Sequence, residues 1–206
     1  MNYLAHARLS FNQPEILVGN MISDFVKGKK QFGYPGMVQQ GIRLHRAIDE
    51  FTDTHPVTQE LKSYFRPHYR LYCGAFGDIV YDHFLANDLN EFADEYKLAE
   101  FAYNTYQMLD NNFLLLPSPF QKMFPFMKTQ DWFSNYRLRE GIQKSFGGLV
   151  RRAAYLDESD QAFDIFNREY GAMLDCYNRF FPALKKFAAD RFQQGLNGDS
   201  IIFEKK

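Results

Sequence analysis

The residues of this chain best suited to chemistry fall between Gly41 and His83: His45, Arg46, Asp49, Asp53 and His55 in the first part, and Asp78, Asp82 and His83 in the second. His45 and Asp49 are four residues apart, as are Asp78 and Asp82. On a helix that spacing sets each pair one turn apart on a single face, so two helices can aim four ligand-type groups at one point. Carboxylate oxygens and neutral imidazole nitrogens are donors that Mg, Mn, Fe or Zn accept. The chemistry expected is that of a divalent metal site.

Periodicity and punctuation define the elements that would position these groups. Pro14 opens a helix expected to run to Val26, on which Leu17, Asn20, Met21 and Asp24 share a face. Asp24 is costly to bury there without a cation, an arginine or hydrogen-bond donors. Lys27 to Gly36, a lysine cluster bounded by Gly and Pro, reads as a loop. Helical periodicity resumes at Val38, carries Gly41, Ile42, His45, Ile48, Asp49 and Thr52, and should end before Pro56. A short helix from Val57 to Phe65 is expected to close at Pro67, and another, from Tyr69 to Asn87, carries Asp78, Asp82 and His83. Asn90 is expected to cap a helix through Tyr96, with a longer one following through Phe101 and Leu109. Pro117, Pro119 and Pro125 should break the next residues into short pieces. Gly147-Gly148 should separate a helix at Asn135 to Phe146 from one at Leu149 to Tyr155. Pro182 should kink or split a last helix from Ser159 to Phe192.

No alternating strand pattern persists, so the fold class expected is all-α, a single-domain helical bundle over residues 1–206. A formal net charge of -1 argues against a broadly basic nucleic-acid binder. Cys73 and Cys176 lack C-x-x-C spacing and read as small buried side chains of a reducing compartment. His6, Arg8, Glu15 and Asp24 interrupt the first apolar stretch, which suits neither an export signal nor a membrane span. A soluble cytoplasmic protein without membrane insertion is expected. There is no G-x-G-x-x-G, Walker lysine loop or G-x-S-x-G.

Taken singly, the polar residues have ordinary explanations: His6 as a hydrogen-bonded histidine, Asp53-Thr54 as a turn or cap, His55 before Pro56 as a loop residue. Together they are harder to explain that way. Three expected helices each set Asp or His beside apolar residues: Asp24 on the first, His45 and Asp49 on the second, Asp78, Asp82 and His83 on the third. Several carboxylates buried together are unfavourable unless cations compensate them. A bound metal would do so.

Four stretches carry a family resemblance: Met1-Asn-Tyr-Leu-Ala-His6; Gly19-Asn20-x-x-x-Asp24-Phe-Val-Lys-Gly28; Gly41-Ile-x-x-His45-Arg46-x-Ile48-Asp49-x-x-x-Asp53; and Asp78-x-x-x-Asp82-His83-Phe-Leu85. In order, over residues 1 to about 86, they resemble the acyl carrier protein phosphodiesterases, a divergent branch of the HD-domain metal phosphohydrolases. Beyond that point the match thins to Gly148-Leu-Val-Arg151-Arg152 and an aromatic helical tail. The resemblance implies an HD-domain-like all-helical fold, a divalent metal, Mn or Mg, and hydrolysis of the diester joining 4'-phosphopantetheine to a serine of holo acyl carrier protein. The adjacent His-Asp pair that names the HD superfamily is absent as such. Asp82-His83 stands in the opposite order, and His45 precedes Asp49 by four residues.

With that chemistry in view, the expected metal ligands are Asp24, His45, Asp49 and Asp82, with His6 as a fifth. Asp78 is expected to orient a ligand or act as general base, and His83 to donate a proton. Arg46, Arg151 and Arg152 are the candidates for the phosphate. Lys27, Lys29, Lys30, Arg43 and Arg46 are the candidates for docking an acidic carrier. Two other functions stay open on sequence: an HD-type hydrolase of a nucleotide or other small phosphodiester, and a noncatalytic helical interaction module that needs no metal.

Overall fold

The first helix, α1 (Tyr3–Arg8), starts where the Asn2 side chain accepts a hydrogen bond from the Tyr3 N–H at 3.0 Å, and it buries Leu4, Ala5, His6 and Ala7. The computed structural model describes the backbone of residues 1–203 and side chains through Leu196. Phe11 and Asn12, at φ 52° and 57°, turn the chain into α2 (Pro14–Ile22), with Pro14 in the first turn. The helix expected to reach Val26 ends at Ile22. A 3-10 turn, Ser23–Phe25, follows and carries Asp24. Polar groups of the next helix hold this turn: Ser23 Oγ donates to the Ile42 carbonyl and the Arg46 guanidinium to the Val26 carbonyl. The lysine loop contains a second 3-10 segment, Gly28–Gly33.

Helix α3 (Gly36–Thr54) ends as expected before Pro56, and His55 caps α4 (Pro56–Tyr69), its ring accepting from the Val57 N–H at 3.3 Å. A 3-10 turn, Arg70–Tyr72, leads to α5 (Cys73–Ala86). The next helix, α6 (Glu95–Asn111), is capped by Asp94, which accepts from the Lys97 N–H at 2.8 Å; residues 90–94 form turns and bends. Then come α7 (Ser118–Thr129), α8 (Trp132–Asn135), α9 (Arg139–Arg152), α10 (Asp160–Arg168) and α11 (Tyr170–Phe203). Among the described residues there is no strand, and no helix is long and apolar enough to cross a membrane.

The breakers act less than their identities suggest. Pro67 lies inside α4, Pro125 inside α7, Pro182 inside α11, and Gly147-Gly148 inside α9. An interior proline costs about 3 kcal/mol and a glycine about 1. Each fully buried Phe, Leu or Met returns about 1.5–3 kcal/mol. Phe120, Phe124 and Met127 of α7 and Phe180, Phe181 and Leu184 of α11 are all buried, which outweighs those costs. The break expected at Pro182 falls instead at Glu169, between α10 and α11.

Phenylalanine rings tie the helices together. Phe65 of α4 stacks on Phe76 of α5 at 5.5 Å, Phe76 meets Phe146 of α9 edge-on at 5.1 Å, and Phe146 meets Phe166 of α10 at 6.3 Å. Cys73 and Cys176 are buried free thiols. Helices α2 and α3 cross backbone to backbone. A methyl on Gly19 would lie 2.0 Å from the Val38 carbonyl oxygen, and one on Gly41 would lie 2.2 Å from the Ile16 carbonyl oxygen. Only two glycines permit that approach. It brings Asn20, next to Gly19, against His45, one turn beyond Gly41.

Candidate active site

The site lies where α1, α2, α3 and α5 meet, and Asn20 is its hub. The Asn20 side-chain Nδ2 donates to the His6 carbonyl (2.8 Å) and to Ser10 Oγ (3.1 Å), which turns Oδ1 toward His6 Nδ1 at 2.8 Å. The Asn20 backbone carbonyl faces His45 Nδ1 at 2.7 Å. Both oxygens accept, so both histidines carry a proton on Nδ1 and present Nε2 to the site. The two rings stack with centroids 3.9 Å apart.

Asp49 receives both Nε2 atoms: Oδ1 is 3.2 Å from His6 and Oδ2 is 3.0 Å from His45. Asp24 Oδ1 lies 3.2 Å from His45 Nε2 while its side chain is 67% exposed. The Met1 α-amino group is fully buried, 3.1 Å from Asp78 and 3.5 Å from Asp49. A cavity of about 210 Å³ opens here, lined by His6, Asp24, His45, Asp78 and Arg152 among others.

These contacts set the electrostatics. Burial acts to lower the His45 pKa, but hydrogen bonds to Asp24 and Asp49 and their charges outweigh it and raise the pKa to about 9. His6, buried and beside a cationic His45, falls to about 4 despite its contact with Asp49. Burial acts to raise the Asp49 pKa, but the His45 hydrogen bond, the contact with His6 and the Met1 α-amino charge outweigh it, so its carboxyl stays well below the usual range. Asp24 is lowered, first by the His45 hydrogen bond. Asp78 is raised by burial, partly offset by the α-amino group.

His6 Nε2 is buried, aimed at Asp49, and makes no hydrogen bond. Its Nδ1 proton is already committed to Asn20, so this nitrogen offers only a lone pair toward a carboxylate. The donor atoms of His6, His45 and Asp49 all lie within 4.8 Å of one another. Two imidazole nitrogens and a carboxylate with an unsatisfied lone pair among them are a donor set that fits a divalent cation.

Two expected site residues have other tasks. Asp82 is buried, with Oδ2 accepting from the Leu4 N–H at 2.8 Å and Oδ1 from the Ala5 N–H at 3.2 Å. It anchors the start of α1 rather than facing the histidines, because those free N–H groups need an acceptor. Burial raises its pKa to about 7, the two N–H bonds only partly countering it. His83, one residue on, points about 100° further around α5. Its Nδ1 bonds to the Tyr136 carbonyl (2.7 Å) and its Nε2 contacts the Tyr170 hydroxyl (3.1 Å), edge-on to Phe166. It lines neither the histidine cavity nor the one adjoining it, so the structure does not bring it to the histidines.

Arg46 is also turned away: its guanidinium binds Gln31 Oε1 and the Val26 carbonyl, tying the lysine segment to α3. Arg152 reaches the histidine cavity, and Arg151 lines an adjoining one. The residue that sequence reasoning left without a role is Asn20. Its signal was a polar side chain on the buried face of Leu17 and Met21, directly after a glycine.

The profile of the acyl carrier protein phosphodiesterase family matches residues 1–184. The acyl carrier protein phosphodiesterase of Enterobacter sp. (strain 638) is 30% identical over 184 residues, covering 89% of this chain and 95% of that protein. The protein of the same name from Photorhabdus laumondii is 29% identical over 191 residues, covering 93% and 96%. Its counterpart from Yersinia pestis is 28% identical over 188 residues, covering 91% and 97%. No solved structure matches the chain. The matched span takes in every residue of the histidine site, and the chain belongs to the acyl carrier protein phosphodiesterase family.

Proposed function

We propose that this protein hydrolyses the phosphodiester of holo acyl carrier protein, releasing apo carrier and 4'-phosphopantetheine. The observation that carries the reading is the convergence of His6, His45 and Asp49 within 4.8 Å, in a chain of this family. In the reaction a water oxygen bonds to phosphorus, the bond from phosphorus to the serine oxygen breaks, and that oxygen takes up a proton.

His6, His45 and Asp49 would hold a divalent ion, Mn or Mg, with Asp24 at its exposed edge. Such an ion supplies a water of lowered pKa and neutralises phosphate charge when bound. Asn20 keeps both Nε2 atoms turned inward, and His45 would give up its Nε2 proton on binding an ion. Asp78, whose burial favours the protonated carboxyl, is the group placed to take and pass on a proton. Arg152, at the mouth of the same cavity, is placed to meet the phosphate. Exposed Lys27, Lys29, Lys30 and Arg43 surround the site in sequence and suit an acidic carrier. The kinship with HD-type phosphohydrolases and the cytoplasmic setting belong to the same reading.

The test is to incubate purified protein with holo carrier and Mn and to follow the carrier mass. Loss of the phosphopantetheine arm, abolished by a chelator and restored by Mn or Mg, is expected. A carrier that keeps its arm refutes the activity, and arm loss indifferent to chelator refutes the metal.

A further inference from the structure

A larger cavity, about 630 Å³, adjoins the histidine cavity and shares Asn2, Tyr3, Ile79 and Arg152 with it. The two cavities are neighbours, and Arg152 lines both. The volume falls in the roughly 300–1,000 Å³ range of small-molecule sites. Its wall is not that of a packed core. Lys144, Arg151 and Arg152 bring three cations, none of them ion-paired among the described residues, while Ser145 and Asn135 offer polar groups and Trp132 an aromatic face.

Gly148 on that wall is a second observation. A helix-interior glycine costs about 1 kcal/mol relative to alanine. At Gly41 the reason is a backbone 2.2 Å from where a methyl would sit. At Gly148 an added methyl would meet only the guanidinium ends of Arg152 and Arg151, at 3.6 and 3.7 Å. No helix packing demands glycine there. What its absent side chain leaves is room beside two arginines.

We propose that this second chamber binds the phosphopantetheine arm itself, its phosphate at Arg152 and its amide-bearing remainder along the α8–α9 wall, with the carrier protein staying outside. The ligand chemistry called for is anionic at one end, amide-rich and slender. The proposal rests on the phosphodiesterase reading above.

Trp132 is the chain's single tryptophan and lines the chamber, so its emission reports occupancy. Titrating free 4'-phosphopantetheine into the wild-type protein is expected to change that emission saturably. Gly148→Leu should fill the chamber, weaken this binding about tenfold or more, and lower kcat/KM on holo carrier to a similar degree, mainly through KM. Its melting midpoint should not fall, because leucine is the better helix former. Ser145→Phe fills the same space from the preceding turn and should repeat the pattern. Trp132 emission indifferent to saturating phosphopantetheine, or wild-type binding and KM in both variants, overturns the proposal while leaving the activity standing. A wild-type protein that never removes the arm from holo carrier overturns both.

Discussion

Replacing Gly41 by alanine sets two physical effects against each other. Helix propensity alone predicts a gain of about 1 kcal/mol. The structure predicts a loss, because the new methyl would sit 2.2 Å from the Ile16 carbonyl oxygen and 2.9 Å from Gly19 Cα, where ordinary contact begins near 3.4 Å. Helices α2 and α3 must then part by about 1 Å at their crossing. The hydrogen bond from His45 Nδ1 to the Asn20 carbonyl, 2.7 Å long, spans that crossing and would open to about 3.7 Å, past the limit of a useful bond. Overpacking costs about 1–3 kcal/mol, and a buried carbonyl left without its donor about 1–3 more. The net is a destabilisation of about 1–5 kcal/mol, or roughly 10 °C in melting midpoint for a domain of this size. Because His45 loses its orienting partner, arm removal from holo carrier should fall further than the stability loss explains. Thermal melts by circular dichroism and kcat/KM on holo carrier at a temperature well below the midpoint measure both. Gly171→Ala is the control, since nothing lies within 4 Å of its added methyl. A Gly41→Ala protein that melts at or above wild type with full activity refutes the account of the crossing.

Asp82→Ala should cost about 2–4 kcal/mol in urea denaturation, since the buried Leu4 and Ala5 N–H groups lose their acceptors. Activity should fall with it as α1, and with it His6, loses its anchor. His83 is buried neutral with a pKa lowered to about 4, by burial above all, from 6.5 in the unfolded chain. A depressed histidine takes up its proton on unfolding, so its contribution is fully present above pH 6.5 and is lost as pH falls toward 4. By pH 5 the loss is about 2 kcal/mol, and His83→Gln should remove that part of the acid destabilisation, read as a flatter dependence of the urea midpoint between pH 7 and pH 5. Added salt should lower kcat/KM on holo carrier steeply, because the attraction between exposed lysines and an acidic carrier is screened within about 10 Å at 0.1 M. A salt-independent rate would dismiss electrostatic docking.

The local sequence determined a good deal. The 3.6-residue periodicity pointed to an all-helical chain, and the end of α3 before Pro56 was legible from proline chemistry alone, whereas the cap expected at Asn90 falls instead at Asp94. The spacing of His45 and Asp49 placed both on one face of α3, where the structure has them, bonded to each other. Only the tertiary structure decided the rest. Pro67, Pro125, Pro182 and Gly147-Gly148 read locally as breaks, yet they lie inside helices, because buried phenylalanines on the same helices outweigh the local penalties. Asp78, Asp82 and His83 read as one acidic and imidazole cluster, yet they face the histidine cavity, the start of α1 and the Tyr136–Tyr170 core respectively. Spacing fixes the angle between side chains on one helix, but not which neighbour each will meet. Asn20 shows the same limit from the other side. Its sequence marked it only as polar on an apolar face, and its role arises from a glycine-on-glycine crossing that brings two distant histidines to its two carbonyl oxygens.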